Sequence, residues 1–152
     1  MEYVPHIELL LQALRIKRER LNSKSKIAID AKLLKTLLET IAAAQDFSED
    51  FYLGAYPDLA EAHAAGKITD LKRHYVELGF FEGRMGAPPP VDEKYYVDLY
   101  KDIEAAVQRG DVKSGTEHYM RSGAAEGRIP SAALLSQVNA WMSVLRDDVN
   151  RG

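Results

Sequence analysis

Residues 47–86 read FSEDFYLGAYPDLAEAHAAGKITDLKRHYVELGFFEGRMG, and residues 91–130 read VDEKYYVDLYKDIEAAVQRGDVKSGTEHYMRSGAAEGRIP. Laid over each other at an offset of 44, the two stretches align without a gap, and twelve of forty positions are identical. The matches include Tyr52/Tyr96, Tyr56/Tyr100, Asp58/Asp102, His74/His118, Tyr75/Tyr119, Glu82/Glu126, Gly83/Gly127 and Arg84/Arg128. These are not the residue types that recur by composition alone, so the chain carries a tandem repeat. Apolar exchanges such as Leu59/Ile103 and Ile68/Val112 fill the spaces between.

Each copy reads as short helices separated by turns. Ser48 can cap a first helix, and Tyr56-Pro57-Asp58 interrupts it, because proline disfavours a helical residue before it. Asp58 is expected to cap a second helix over 59–65, with Gly66 as its left-handed stop. Thr69 or Asp70 can cap a third over 71–78, ended by Gly79. The second copy follows the same scheme with Lys101 in place of the proline and Asp102 as the cap. In the Glu-Gly-Arg turns, Gly83 and Gly127 are expected at positive φ.

Outside the repeats, 1–46 predicts a helical hairpin, 87–90 (Ala-Pro-Pro-Pro) a stiff spacer and 131–152 a final helix. In the hairpin, Ile7, Leu10, Leu11, Leu14 and Leu21 make one stripe of a helix over 5–21. Ile27, Ala31, Leu34, Leu38 and Ile41 make the stripe of a second, capped by Ser25 or Asp30 and running to 45. Leu134, Val138, Trp141 and Leu145 line the last helix, flanked by Leu135, Met142 and Val149 and capped by Ser131; holding the single tryptophan, it is expected to dock. No stretch alternates like a strand. The expected fold is all-α, packed as one domain.

The repeat signature also carries a family resemblance. An aromatic residue before Tyr52, then Tyr56-Pro57-Asp58, His74-Tyr75, Gly79 and Glu82-Gly83-Arg84 resemble a repeat of bacterial proteins. That repeat occurs in tandem beside glycosyltransferase or methyltransferase domains of surface-polysaccharide loci, and in large secreted proteins with calcium-binding repeats. The likeness covers 47–130 and implies no catalytic role. It implies association with polysaccharide machinery, whose chemistry would come from a partner.

Composition narrows the function classes. The 152 residues contain no cysteine, which removes disulfides, thiolate metal sites and cysteine nucleophiles. No apolar run reaches the length of a membrane-spanning helix. The opening order, acidic and apolar before basic, is the reverse of a secretory signal, and a cytoplasmic protein is expected. The net charge is −3, yet eight basic residues between Arg15 and Lys35 face only Glu19 and Asp30, a local +6. Arg15, Lys17, Arg18 and Arg20 are therefore candidate contacts for an anionic partner. The missing interleaved aromatics and the acid balance elsewhere argue against nucleic acid.

His74 and His118 invite a metal or acid–base reading, and Asp58, Glu82 and Arg84 with their twins invite a catalytic one. Duplication argues otherwise. An active site needs one asymmetric constellation, whereas these residues come in matched pairs, so no enzyme, metal or cofactor is expected. The signature tyrosines are read as core. Phe80 and Phe81 are replaced by Ala124 and Ala125, so they mark a candidate contact surface for another protein or, alternatively, a glycan. Leu34, Leu38 and Ile41 are candidates for self-association as a homodimer.

Overall fold

In the computed structural model, residues 3 and 5–146 are described; Val149, placed above on the last helix, lies outside them. Among the described residues all regular structure is helical, so the fold is all-α. The chain divides into two units, Met1–Gly86 and Ala87–Gly152, and the division falls where the Pro-rich spacer begins.

In the first unit, α1 (Ile7–Leu14) is shorter than its stripe suggests. Pro5 stands outside it, His6 is its N-cap, and Arg15 ends it in the left-handed conformation at φ 54°. The rest of the expected helix is a 3-10 turn, Arg18–Asn22, that leaves Leu21 exposed. Helix α2 (Ala31–Ala43) starts at Asp30, whose carboxylate accepts from the N–H groups of Lys32 and Leu33. The expected hairpin takes another form. Helix α2 packs on the turn Tyr75–Gly79 of the repeat, with Ala42 buried at the seam, and keeps Leu34 and Ile41 outward.

The first repeat comprises α3 (Glu49–Ala55), α4 (Pro57–Ala64) and α5 (Leu71–His74), the last continuing as one π turn, Tyr75–Gly79. Ser48 and Asp70 cap α3 and α5 through their side chains. Asp58 does not cap α4. Tyr56 is the N-cap, Pro57 occupies the first helical position where its missing N–H costs nothing, and Asp58 sits one residue further in. The second repeat follows the same plan as α6 (Glu93–Leu99), α7 (Lys101–Arg109) and α8 (Gly115–His118), with a π turn Tyr119–Gly123. There too the N-cap of α7 is Tyr100, so Asp102 does not cap it. The backbone of Tyr100 is extended without a following proline. The interruption therefore belongs to the tyrosine, and Pro57 only suits it.

Both repeats close on themselves. The N–H of Ser48 donates to the carbonyl of Gly86 at 2.8 Å, and that of Asp92 to Pro130 at 3.0 Å. Chain entry and exit are thereby pinned together at the boundaries 47–86 and 91–130. Gly66, Gly83, Gly110 and Gly127 all lie at positive φ. At each, two backbone bonds tie the following turn to the helix end, as in Gly66 N–H to His63 and Lys67 N–H to Ala62.

The first core contains Ala42, Tyr52, Leu59, Leu71 and Tyr75, with Phe47, Ile68, Val76 and Phe80 packed against it. The second buries Tyr96, Ile103, Val112 and Pro130. Helix α9 (Leu135–Arg146), entered through a 3-10 turn Ala132–Leu134, corrects the expectation for the last helix. Ser131 makes no side-chain cap, no residue of α9 is fully buried, and Trp141 is 64% exposed. Its close approach is Met142, whose side chain lies where a Cβ on Gly127 would stand.

Candidate functional site

The signature residues form two networks in each repeat. At the centre of the first is Tyr52, fully buried, with its hydroxyl hydrogen-bonded to Nδ1 of His74 at 3.1 Å. The twin is Tyr96 with His118 at 3.0 Å. Burial pushes both phenols up to about 12. Room for each hydroxyl comes from a glycine in the π turn: a Cβ on Gly79 would lie 2.1 Å from the Tyr52 hydroxyl, and one on Gly123 2.3 Å from that of Tyr96. The turns are widened by bonds from Phe80 N–H to Tyr75 and from Ala124 N–H to Tyr119. Gly79 is thus no helix stop, as its φ is not positive; it is a gap that admits the tyrosine. Tyr75 and Tyr119 pack edge-on against the same rings.

The second network is a strap. Arg84 donates to both carboxylate oxygens of Asp58, at 3.0 and 2.8 Å, and through Nε to Glu82 at 2.8 Å. Its guanidinium lies 4.9 Å from the Tyr56 ring centre, and the Tyr56 hydroxyl accepts from the N–H of Met85 at 2.7 Å. Arg128 does the same with Asp102 at 3.0 and 2.7 Å and with Glu126 at 2.6 Å, above the ring of Tyr100. The Tyr100 hydroxyl accepts from Ile129 N–H at 2.7 Å. The guanidinium beside each aspartate holds Asp58 and Asp102 below the usual carboxylate range. Bidentate geometry and ring stacking suit arginine, and no lysine could supply both. Each carboxylate and each imidazole named as a chemical candidate is spent on a neighbour in its own repeat. Among the described residues no group of three or more His, Asp or Glu is placed to hold a metal ion.

The copies diverge at a few places. Glu49 and Glu93 align, yet Glu93 alone is given partners across its repeat: its carboxylate accepts from the N–H groups of Gly115 and Thr116 and from the Thr116 hydroxyl. Gly115, where the first copy has Leu71, makes the space, since a Cβ there would stand 3.2 Å from the Glu93 carboxylate as well as 2.8 Å from the Tyr96 ring. Burial pushes Glu93 up, but the hydrogen bonds outweigh it and hold it below its usual range. Ser122, where the first copy has Leu78, gives His118 a second bond at Nε2, 3.1 Å long.

Burial pushes the His118 imidazole below its usual value. The folded state then favours neutral histidine, and the unfolded chain takes up protons more readily below about pH 6.5. The stabilisation is complete above that pH and is lost as pH falls toward and through the depressed folded value. The urea midpoint for the second repeat is expected to drop between pH 7.5 and 5, and His118→Gln is expected to remove that part of the response.

Outward faces differ as well. Phe80 is half-buried against Tyr75, whereas Phe81 is 42% exposed, with the ammonium of Lys35 5.5 Å from its ring centre. That contact sets Phe81 beside α2, which also carries exposed Leu34 and Ile41 and half-buried Leu38. Leu78 is exposed on the same π turn. A shallow groove of about 360 Å³ lies between α2 and α5, lined by Thr36, Glu39 and Thr40 opposite Asp70, Arg73 and Glu77. Arg73 and Glu77 in it are paired at 2.8 Å. Arg15, Lys17, Arg18 and Arg20 are all exposed on and after the end of α1, with Arg18 paired to Glu8.

The tyrosine–glycine gap and the Glu93 bonds to Gly115 and Thr116 are what the amino-acid pattern does not reveal. Gly79 and Gly123 stand out as matched residues, but only the structure shows what fills the missing side chain. Compared with protein-family models, curated proteins and solved structures, the chain matches none.

Proposed function

We propose that this chain is a non-catalytic interaction protein, in which two self-closing repeats present flanking helices to another protein. One observation carries the reading: the recurring histidines, aspartates and arginines, with Glu82 and Glu126, are engaged within their own repeats, while large apolar side chains stand outward where the repeats differ or are flanked. In the first unit these include Leu34, Ile41, Leu78 and Phe81; in the second, Leu99, Leu135, Trp141, Val144 and Leu145. Apolar patches of this kind mark contact sites. A place beside bacterial surface-polysaccharide enzymes is suggested by the resemblance of the repeat and by nothing else.

A second copy of the chain, joined through α2, is proposed as well and is tested first. Light scattering on a sizing column tests this, with wild type expected at twice the chain mass. Leu34→Asp with Ile41→Asp is expected to give a monomer with an unchanged circular dichroism spectrum, because both side chains are already exposed. Leu34→Asp with Leu38→Asp should do the same, at some cost to α2 packing. A monomeric wild type ends the dimer proposal. Affinity capture of the tagged protein from its own cells then tests for a different protein partner, which Phe81→Ser is expected to weaken.

A further inference from the structure

We propose that Tyr3 and residues 5–29 form a peripheral docking site for an anionic lipid surface. Two kinds of exposure coincide there. Tyr3, Leu9 and Leu21 are exposed at 79%, 54% and 51%, and Ile7 at 37%, a density of outward aliphatic and aromatic groups that water disfavours. Interleaved with them, Arg15, Lys17, Arg18, Arg20, Lys24 and Lys26 are all exposed, against Glu8 and Glu19.

Local geometry keeps the two kinds together. The left-handed Arg15 stops α1, and the bonds from Arg15 N–H to Gln12 and Ile16 N–H to Leu11 fold the chain back at that point. The Arg18–Glu8 pair then ties the 3-10 turn to the first turn of α1, across an open hollow lined by Leu11, Arg15 and Ile16. Only Leu11 of α1 is buried, so Leu9, on the other side of the helix, faces outward, and Leu21 stands exposed within the basic turn itself.

Charge complementarity selects the occupant. A lone basic patch would suit any polyanion, and a lone apolar face any hydrophobic partner. Aliphatic groups that enter the acyl boundary, set among lysines and arginines that meet anionic headgroups, fit an interfacial lipid site. Each cation near such a surface adds attraction that falls off within a Debye length. No described helix is long and apolar enough to cross a membrane, so the attachment is to the surface.

The test is co-sedimentation of the full chain with vesicles of phosphatidylcholine alone and of phosphatidylcholine with one third phosphatidylserine, at physiological salt. Binding to the anionic vesicles is expected, with at least about tenfold weaker partition to the neutral ones. Lys17→Glu with Arg20→Glu should lower the anionic partition about tenfold or more. Leu9→Ser with Leu21→Ser should lower it several-fold while leaving heparin binding unchanged. All four side chains are exposed, so the fold is not at risk. Absence of phosphatidylserine-dependent binding would overturn the proposal. So would binding that the leucine variant does not weaken, which would assign the patch to soluble polyanions such as nucleic acid.

Discussion

Tyr96→Ala and Tyr52→Ala are each expected to unfold the repeat that contains them. Both rings are fully buried, and each touches several parts of its repeat. Tyr52 meets Phe47, Tyr56 and Tyr75 ring to ring, and Tyr96 meets Tyr100 and Tyr119. Removing so large a buried aromatic costs about 3–5 kcal/mol through lost transfer energy and the cavity left behind. It also strands the imidazole that shared the hydroxyl. A repeat of this size commands only a few kcal/mol in all, since small folds bury a low fraction of their surface. Thermal unfolding followed by circular dichroism should show a large loss of helix at 25 °C for either variant. Tyr→Phe at the same positions keeps the ring and should cost only about 1–2 kcal/mol for the unpaired histidine nitrogen.

The second large effect is opposite in sign to what helix propensity dictates. Ala in place of Gly within a helix normally stabilises by up to about 1 kcal/mol. Gly54, in α3, has nothing within 4 Å of where a Cβ would stand, and Gly54→Ala is expected to follow that rule. Gly79→Ala and Gly123→Ala are expected to reverse it and destabilise by about 2–3 kcal/mol, as an overpacked core does. Their methyl groups would fall on a tyrosine oxygen that is itself fixed by a histidine. Urea unfolding midpoints of the three variants check this. Equal, stabilising shifts at all three glycines would show that the gap is not filled as described.

Much of the architecture is legible in the sequence because it rests on local chemistry. Ser48 caps its helix as its position promises, Asp30 and Asp70 prove to be the caps where the sequence leaves Ser25 and Thr69 open as alternatives, and Gly66 and Gly83 take the positive φ that their turns require. What stays hidden depends on contacts distant in sequence. Asp58 has the look of a cap, but a guanidinium 26 residues away binds its carboxylate more favourably than the exposed end of a short helix would. Gly79 looks like a stop because nothing nearby reveals the tyrosine 27 positions earlier that needs its space. Helical periodicity over 5–21 is real, yet it describes a helix, a left-handed arginine and a 3-10 turn in succession. Trp141 suggests docking by its size alone, and its stripe proves to be half-buried at Leu134 and Val138 but exposed at Trp141 and Leu145.

The central physical claim is that each duplicated signature is a structural lock of tyrosine hydroxyl, histidine and glycine gap, working alike in both copies. A double-mutant cycle tests it most directly: Gly79→Ala measured in the wild type and in Tyr52→Phe, and Gly123→Ala in the wild type and in Tyr96→Phe, with protection of each repeat read by hydrogen exchange. Once the hydroxyl is gone, the nearest Tyr52 atom to a new methyl group on residue 79 is Cζ, at 3.3 Å. The penalty for alanine should then shrink to under about 1 kcal/mol, giving a coupling of about 1–2 kcal/mol of the same sign in both repeats. Additive effects in either repeat, or coupling in one and not the other, would contradict a shared structural role.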